Sequence, residues 1–169
     1  MRKLIANILR VFGAKDIHYS SNTADAIREV RASNPDIVFT EWRVQPLDGM
    51  EFTKLIRTGS DSPNPYVPII MVTGHTERQF VMQARDAGIT EFLAKPVSAR
   101  TVINHVCEVV EKPRPFVRTK TYFGPDRRRK TSTKYRGPER RKADAETTAD
   151  GLSQDAIDSL FVSEEAQEG

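Results

Sequence analysis

Three polar side chains each follow directly after a short run of apolar residues. They are Glu41, Thr73 and Lys95. Because functional groups of open α/β sheets collect outside the carboxyl ends of parallel strands, we expect these side chains to lie at one edge of a sheet. A carboxylate, a hydroxyl and an ammonium group that converge there can hold a phosphoryl group or form a salt bridge.

The elements that must position these groups follow from the pattern of residues 1–112. Apolar positions at helical spacing predict helices at 1–12, 22–33, 50–57, 77–87 and 99–112. Strands are predicted at 16–20, 37–40, 67–73 and 90–94, and 37–40 and 67–73 show the apolar runs of strands that are covered on both faces. This alternation predicts crossover units and a doubly wound α/β domain with a parallel sheet.

Composition excludes several classes of protein. The 169 residues are 38% hydrophobic and 29% charged, as in ordinary globular domains. No apolar run approaches the roughly 18 residues of a membrane span, and no signal-peptide pattern follows Met1, so we expect a cytoplasmic protein that does not contact a membrane. The lone Cys107 is expected to be buried, and the spacing of His18, His75 and His105 predicts no metal site.

The C-terminal third differs from the rest in its charge. Residues 113–142 hold 12 Lys or Arg against 2 acidic residues, whereas 143–169 hold no Lys or Arg and 8 acidic residues. Since Pro113 cannot continue a helix, we expect the domain to end at 112 and a disordered tail, first basic and then acidic, to cover 113–151. Two repeats of an aromatic residue, Gly-Pro, an acid and two arginines occupy 122–128 and 135–141, which indicates a binding role.

The basic segment 113–142 allows a second kind of partner. Its cations are interleaved with Phe116, Tyr122, Phe123 and Tyr135, a composition that can neutralise phosphates and stack on bases. Nucleic acid is therefore the alternative partner. The segment could also be a solvated linker, or it could contact acidic proteins, lipid head groups or the acidic end of the tail itself.

A short amphipathic helix is predicted over 152–161. Ser153 is the candidate cap, and Ile157, Leu160 and Phe161 lie at i, i+3 and i+4, so that they share one face. Together with Leu152 they are the candidate docking residues, and the other interpretation is a frayed tail helix.

These features, in this order, resemble the response-regulator receiver family of the chemotaxis CheY type over residues 1–112. The resemblance is carried by Glu41-Trp42-Arg43-Val44-Gln45-Pro46-Leu47-Asp48-Gly49, by Thr73-Gly74 and by Lys95-Pro96. It implies a flavodoxin-like, non-enzymatic domain that accepts a phosphoryl group on an aspartate from a histidine kinase, with Mg²⁺ bound. It also implies a role for each matching residue: Glu41 as the phosphoacceptor equivalent; Thr73, Phe92 and Lys95 as switch and phosphate-contact equivalents; and Trp42, Arg43, Asp48 and Gly49 in the acceptor loop.

Two departures from the family pattern change the expected chemistry. Glu41 stands where the family has aspartate, and its extra methylene displaces the carboxylate by about 1 Å, an error that can cost roughly 10²-fold. The chain also begins inside what resembles the first helix, without the first strand and its acidic pair, and the cation of Arg43 opposes metal binding, so Mg²⁺ is expected to bind weakly or not at all. Either an upstream start supplies the strand or a partner fills the gap.

The expected function is that of a non-catalytic adaptor in two-component signalling, related to chemotaxis. Glu41 either extends its charge toward Lys95 and Thr73 in imitation of an acyl phosphate or belongs to a decayed site in which it pairs with Lys95. Phe92 is either a coupling aromatic or an ordinary core residue. A further alternative is a phosphorelay receiver with a weakly reactive glutamate.

The expected partners are histidine kinases, other receivers and chemotaxis proteins. The segment 152–161 resembles the receiver-docking peptide of flagellar switch proteins, which implies docking on its own domain or on another receiver.

Overall fold

A computed structural model describes residues 1–127 and 152–161. The helices are α1 (Arg2–Val11), α2 (Thr23–Ser33), α3 (Gly49–Thr58), α4 (Arg78–Ala87), α5 (Ala99–Glu111) and α6 (Gln154–Phe161). The strands are β1 (Val38–Thr40), β2 (Ile69–Thr73), β3 (Glu91–Ala94), β4 (Phe116–Arg118) and β5 (Phe123–Pro125). Within these two ranges, no helix combines the length and the apolar character that a membrane crossing requires.

The first three strands form a parallel sheet in the order β1-β2-β3. Every residue of β2 is buried, because helices cover both faces of this central strand. Successive side chains of a strand point to opposite faces, so Ile69 and Met71 join one core cluster and Ile70 and Val72 join the other. The predicted doubly wound α/β architecture is confirmed.

The two clusters assign each helix to a face of the sheet. The larger one packs α2, α3, α4 and α6 against Phe92 of β3, and the smaller one packs α1 and α5 against Leu93 of the same strand. Local signals position the helix ends as the sequence predicts. The side chain of Asn22 accepts a hydrogen bond from the N–H of Asp25 at 2.8 Å, and Gly88 ends α4 with φ +100°.

The prediction of a strand at 16–20 is wrong, since this segment has no regular secondary structure. A strand requires a neighbour to pair its backbone, and β1 is the terminal strand of the order β1-β2-β3, so no described strand lies beside the segment. The expectation for Cys107 is wrong as well, because it lies on the exposed side of α5.

The prediction of a disordered tail from residue 113 is wrong for its first part. β4 and β5 form an antiparallel hairpin in which Val117 pairs with Gly124. A Cβ on Gly124 would lie 2.6 Å from the hydroxyl of Tyr122 and 3.1 Å from the Cα of Gly88, so only glycine fits between them. The first repeat therefore builds a folded element, while the second, at 135–141, lies outside the described residues.

Candidate functional site

The carboxyl ends of the three parallel strands bring Glu41 and Lys95 together. The Nζ of Lys95 donates to Oε2 of Glu41, and Oε1 of Glu41 accepts from the N–H of Trp42 at 3.0 Å. The side chains are about a third exposed, at 32% and 29%, so solvent screens part of their attraction. The predicted meeting of a carboxylate and an ammonium group at this edge is thus present.

Thr73 and Phe92 are fully buried beside this pair. The hydroxyl oxygen of Thr73 accepts from the N–H of His75 at 3.2 Å, and its carbonyl accepts from the N–H of Lys95 at 2.9 Å. Phe92 packs in the larger core cluster, on the side where α6 lies. The hydroxyl of Thr73 therefore contacts the loop that follows β2. The backbone carbonyl of Thr73 binds Lys95, which in turn contacts Glu41.

The acceptor loop is fixed by close backbone contacts. Asp48 caps α3 by accepting from the N–H groups of Met50 at 2.9 Å and Glu51 at 2.8 Å. A Cβ on Gly49 would lie 2.2 Å from the carbonyl oxygen of Glu41, so this loop requires glycine. Arg43 is exposed. The Glu41 carboxylate contacts Lys95 and the N–H of Trp42.

Trp42 is buried in an aromatic cluster that the sequence did not suggest. Its ring centroid lies 4.9 Å from that of Phe80 and 6.2 Å from that of His75. Trp42 lies more than 30 residues before His75 and Phe80 in the chain, so no local pattern indicated the cluster. It fixes the backbone next to Glu41.

The receiver resemblance implies a Mg²⁺ ion, and the donor set present does not fit one. The carboxylate oxygens of Glu41 are engaged by Lys95 and by the N–H of Trp42. Across 1–127 and 152–161, no group of three or more carboxylate, imidazole or thiolate side chains lies close enough together to hold a metal ion. Mg²⁺ binds proteins through one or two free carboxylates beside its waters, whereas the Glu41 carboxylate at this edge is already neutralised by Lys95.

Helix α6 docks on its own domain, along the outer edge of β3. Ile157 is fully buried and Leu152 packs partly buried against the same core cluster. The N–H of Leu152 donates to the carbonyl of Thr76 at 2.8 Å, so the segment begins at the loop that follows the Thr73 strand. The side chains of Leu160 and Phe161 lie outside the described residues, and their predicted contacts stay predictions.

A charged cluster that the sequence did not suggest joins α6 to α5 and β3. His105, buried on α5, places Nδ1 3.3 Å from Glu91 and Nε2 3.4 Å from Asp158. Arg114 reaches the second oxygen of Glu91 at 3.3 Å. Burial alone lowers the pKa of His105, but the hydrogen bond to Glu91 and the charges of Asp158, Glu91 and Glu108 raise it above the ordinary value. Protonated His105 thus donates toward both carboxylates.

We expect α6 docking to weaken as pH rises. The pKa of His105 is raised in the docked state, so its contribution is complete below the ordinary pKa of 6.5 and is lost as pH rises through the raised value. Burial also raises the pKa of Asp158, against the opposing effects of the Gln154 hydrogen bond and the charge of His105, so protonated His105 favours the ionised form of Asp158. Between about pH 6 and pH 9 the docking constant should fall roughly two- to tenfold, as followed by the NMR shift of the Ala94 amide.

The matched variant for this measurement is His105→Gln, which keeps a polar side chain and cannot titrate. Its docking constant should be flat over the same pH range. An equal fall in the variant and the wild type would remove His105 from the explanation.

The hairpin occupies the aromatic residues that the sequence offered for base stacking. Tyr122 and Phe123 are buried, and the ring centroid of Phe123 lies 5.6 Å from that of Phe116 and 5.2 Å from that of Tyr66. The guanidinium of Arg118 covers the other part of the Phe123 ring, 4.3 Å from its centroid. Base stacking by these rings would require the hairpin to open, which disfavours nucleic acid as a partner of this segment.

Comparison with known proteins identifies a family that matches most of the α/β domain. A family model described as response regulator receiver domain matches residues 1–107. The chain is 25% identical over 112 residues to chemotaxis protein CheY-3 of Vibrio cholerae, an alignment that covers 66% of this chain and 85% of that protein. It is 24% identical over 112 residues to chemotaxis protein CheY of Pseudomonas aeruginosa, covering 66% and 89%.

Solved structures share the fold. A response regulator from Chloroflexus aurantiacus superposes with a TM-score of 0.59 at 19% identity, covering 65% of this chain and 88% of that one. Chemotaxis protein CheY4 of Vibrio cholerae gives a TM-score of 0.58 at 21% identity, covering 64% and 88%. The family model ends at residue 107, inside α5, so β4, β5 and α6 lie outside the range that it matches.

Proposed function

Because the chain belongs to the response regulator receiver family, we propose that it acts in two-component signalling as an adaptor whose receiver site carries a fixed charge. Glu41 supplies a permanent carboxylate where the family has a phosphorylated aspartate, and Lys95 already binds it. This contact is the observation that carries the proposal. The chain would respond to its partners, histidine kinases or other receivers in the cytoplasm, without taking up phosphate itself.

The placement of α6 supports a route from the site to a surface. Lys95 directly follows Ala94, and the N–H of Ala94 contacts α6 through Gln154. On the other side, Thr76, whose carbonyl binds Leu152, lies three residues after Thr73. A change in the charge that Lys95 contacts is therefore expected to alter the two places where the α6 segment binds the domain, at Ala94 and at Thr76. The likeness to chemotaxis proteins favours a chemotaxis pathway as the setting.

The absence of phosphate uptake is tested by incubating the full chain with acetyl phosphate and Mg²⁺ and measuring its intact mass. We expect no added phosphate, since the Glu41 carboxylate is displaced by its extra methylene and is already bound by Lys95. Phosphate recovered on Glu41 would overturn the proposal and favour a weakly reactive phosphorelay receiver.

Removing the charge of Glu41 tests whether it imitates an acyl phosphate. Glu41→Gln keeps the length of the side chain and deprives Lys95 of its anion, so we expect α6 to dock roughly three- to tenfold more weakly, as measured by hydrogen exchange in α6. The matched control is Glu111→Gln, which removes an exposed carboxylate at the end of α5. Unchanged docking in Glu41→Gln would leave a decayed site in which the pair is only structural.

A further inference from the structure

The outer edge of β3 presents backbone groups that no described strand satisfies. The N–H of Lys95 bonds to Thr73 on β2, and in a parallel ladder alternate residues turn to opposite sides. The carbonyl of Phe92 and the N–H of Ala94 therefore point outward. Polar backbone groups covered by another element and left unpaired are costly, so whatever covers this edge must bind them.

A single side chain, that of Gln154, binds both groups. Its Oε1 accepts from the N–H of Ala94 at 2.5 Å, and its Nε2 donates to the carbonyl of Phe92 at 3.1 Å. In a parallel sheet, one residue of a neighbouring strand donates to the carbonyl of residue i and accepts from the N–H of residue i+2. The amide of Gln154 reproduces this pair of bonds at Phe92 and Ala94.

The orientation of the amide is fixed by a third contact. The Nε2 of Gln154 also donates to Asp158 at 2.5 Å, one turn further along α6. Asp158 in turn faces His105, and Ile157 fills the adjoining apolar site. One face of the short helix α6 thus contacts the domain, through Gln154, Ile157 and Asp158.

The side-chain amide of Gln154 provides both the donor and the acceptor that these two backbone groups require. Glutamate has the same length, but its ionised carboxylate only accepts and would oppose the carbonyl of Phe92. We propose that Gln154 is the specificity-determining residue of this surface and acts there as a one-residue substitute for a strand. The partner that fits the surface in competition with α6 is a helix with a glutamine three residues before an apolar anchor and four residues before an acid. This inference rests on the proposed function only in taking α6 as the occupant of the surface.

The test compares the hydrogen exchange of the Ala94 amide in the full chain and in Gln154→Glu. Ala94 should exchange slowly in the wild type and roughly tenfold or more faster in the variant, with the exchange of α6 rising in parallel. Gln154 is the first residue of α6, where a carboxylate favours the helix, so loss of docking would not come from a weaker helix. Gln79→Glu makes the same change in the exposed first turn of α4 and should leave Ala94 unaffected.

A second variant, Gln154→Met, separates the amide from charge repulsion. Methionine matches the length of glutamine without donor or acceptor and brings no charge near Asp158, and it should also speed the exchange of Ala94. Slow exchange of Ala94 in both variants would overturn the role of Gln154 and leave the docking of α6 intact. Fast exchange already in the wild type would overturn the docking itself. Phosphate on Glu41 would overturn the proposed function alone.

Discussion

Ile157→Ala is expected to release α6 from the domain. Ile157 is fully buried in the larger core cluster, and truncation of such a residue costs about 2–5 kcal/mol. An eight-residue helix has little stability alone, so without this anchor the segment should lose both its docking and its helical structure. Hydrogen exchange should show protection lost in α6 and at Ala94, with α1 to α5 unchanged.

Two variants bracket this result. Ile157→Val removes one methylene and should weaken docking only moderately, by about 0.5–1.5 kcal/mol. Asp155→Ala changes an exposed residue of the same helix and should have little effect. Full protection of α6 in Ile157→Ala would show that its contacts do not depend on the apolar anchor.

Arg57→Met is expected to destabilise the whole domain. Arg57 is only 2% exposed on α3, and its guanidinium donates to the carbonyls of Gly88 at 3.0 Å, Pro65 at 2.9 Å and Val67 at 2.7 Å. Burial lowers its pKa to about 10, against the raising effect of Tyr122. Methionine fills a similar volume but leaves three carbonyls without this donor, so the free energy of unfolding should fall by about 3 kcal/mol in urea titrations.

Arg57 also links the domain to the hairpin, because its guanidinium lies 5.1 Å from the ring centroid of Phe116. Loss of protection in β4 and β5 should therefore accompany the fall in stability. The matched control is Arg31→Met, which removes an exposed arginine that pairs with Asp61 at the surface and should cost under about 1 kcal/mol. Equal losses in the two variants would contradict the role assigned to the buried guanidinium.

The site residues could be predicted from the sequence because each lies at the end of a strand. The short apolar runs before Glu41, Thr73 and Lys95 are typical of strands in a parallel sheet, and parallel strands end at a common edge. The sequence thus predicted which groups meet, while the direction of the Thr73 hydroxyl toward the N–H of His75 depended on the course of the following loop.

The contacts of the hairpin and of α6 could not be predicted from the sequence in the same way. Arg57 has the sequence context of an ordinary arginine in the last turn of a helix, but it is buried against the carbonyls of Pro65, Val67 and Gly88 and against a hairpin ring some 60 residues away in the chain. The hairpin itself lacks any long apolar run, because it packs through aromatic rings and through Gly124 against Gly88. Sequence patterning detects elements that bury a continuous stripe, and this element does not.

The sequence by itself determined the α/β alternation, the helix caps, the members of the candidate site and the amphipathic character of α6, since these depend on residues close together in the chain. Only the tertiary structure decided that 16–20 is not a strand, that 116–125 forms a hairpin, and that Gln154 covers the edge of β3. Each of these depends on whether a backbone donor or acceptor has a partner distant in sequence, and a local pattern carries no information about that partner.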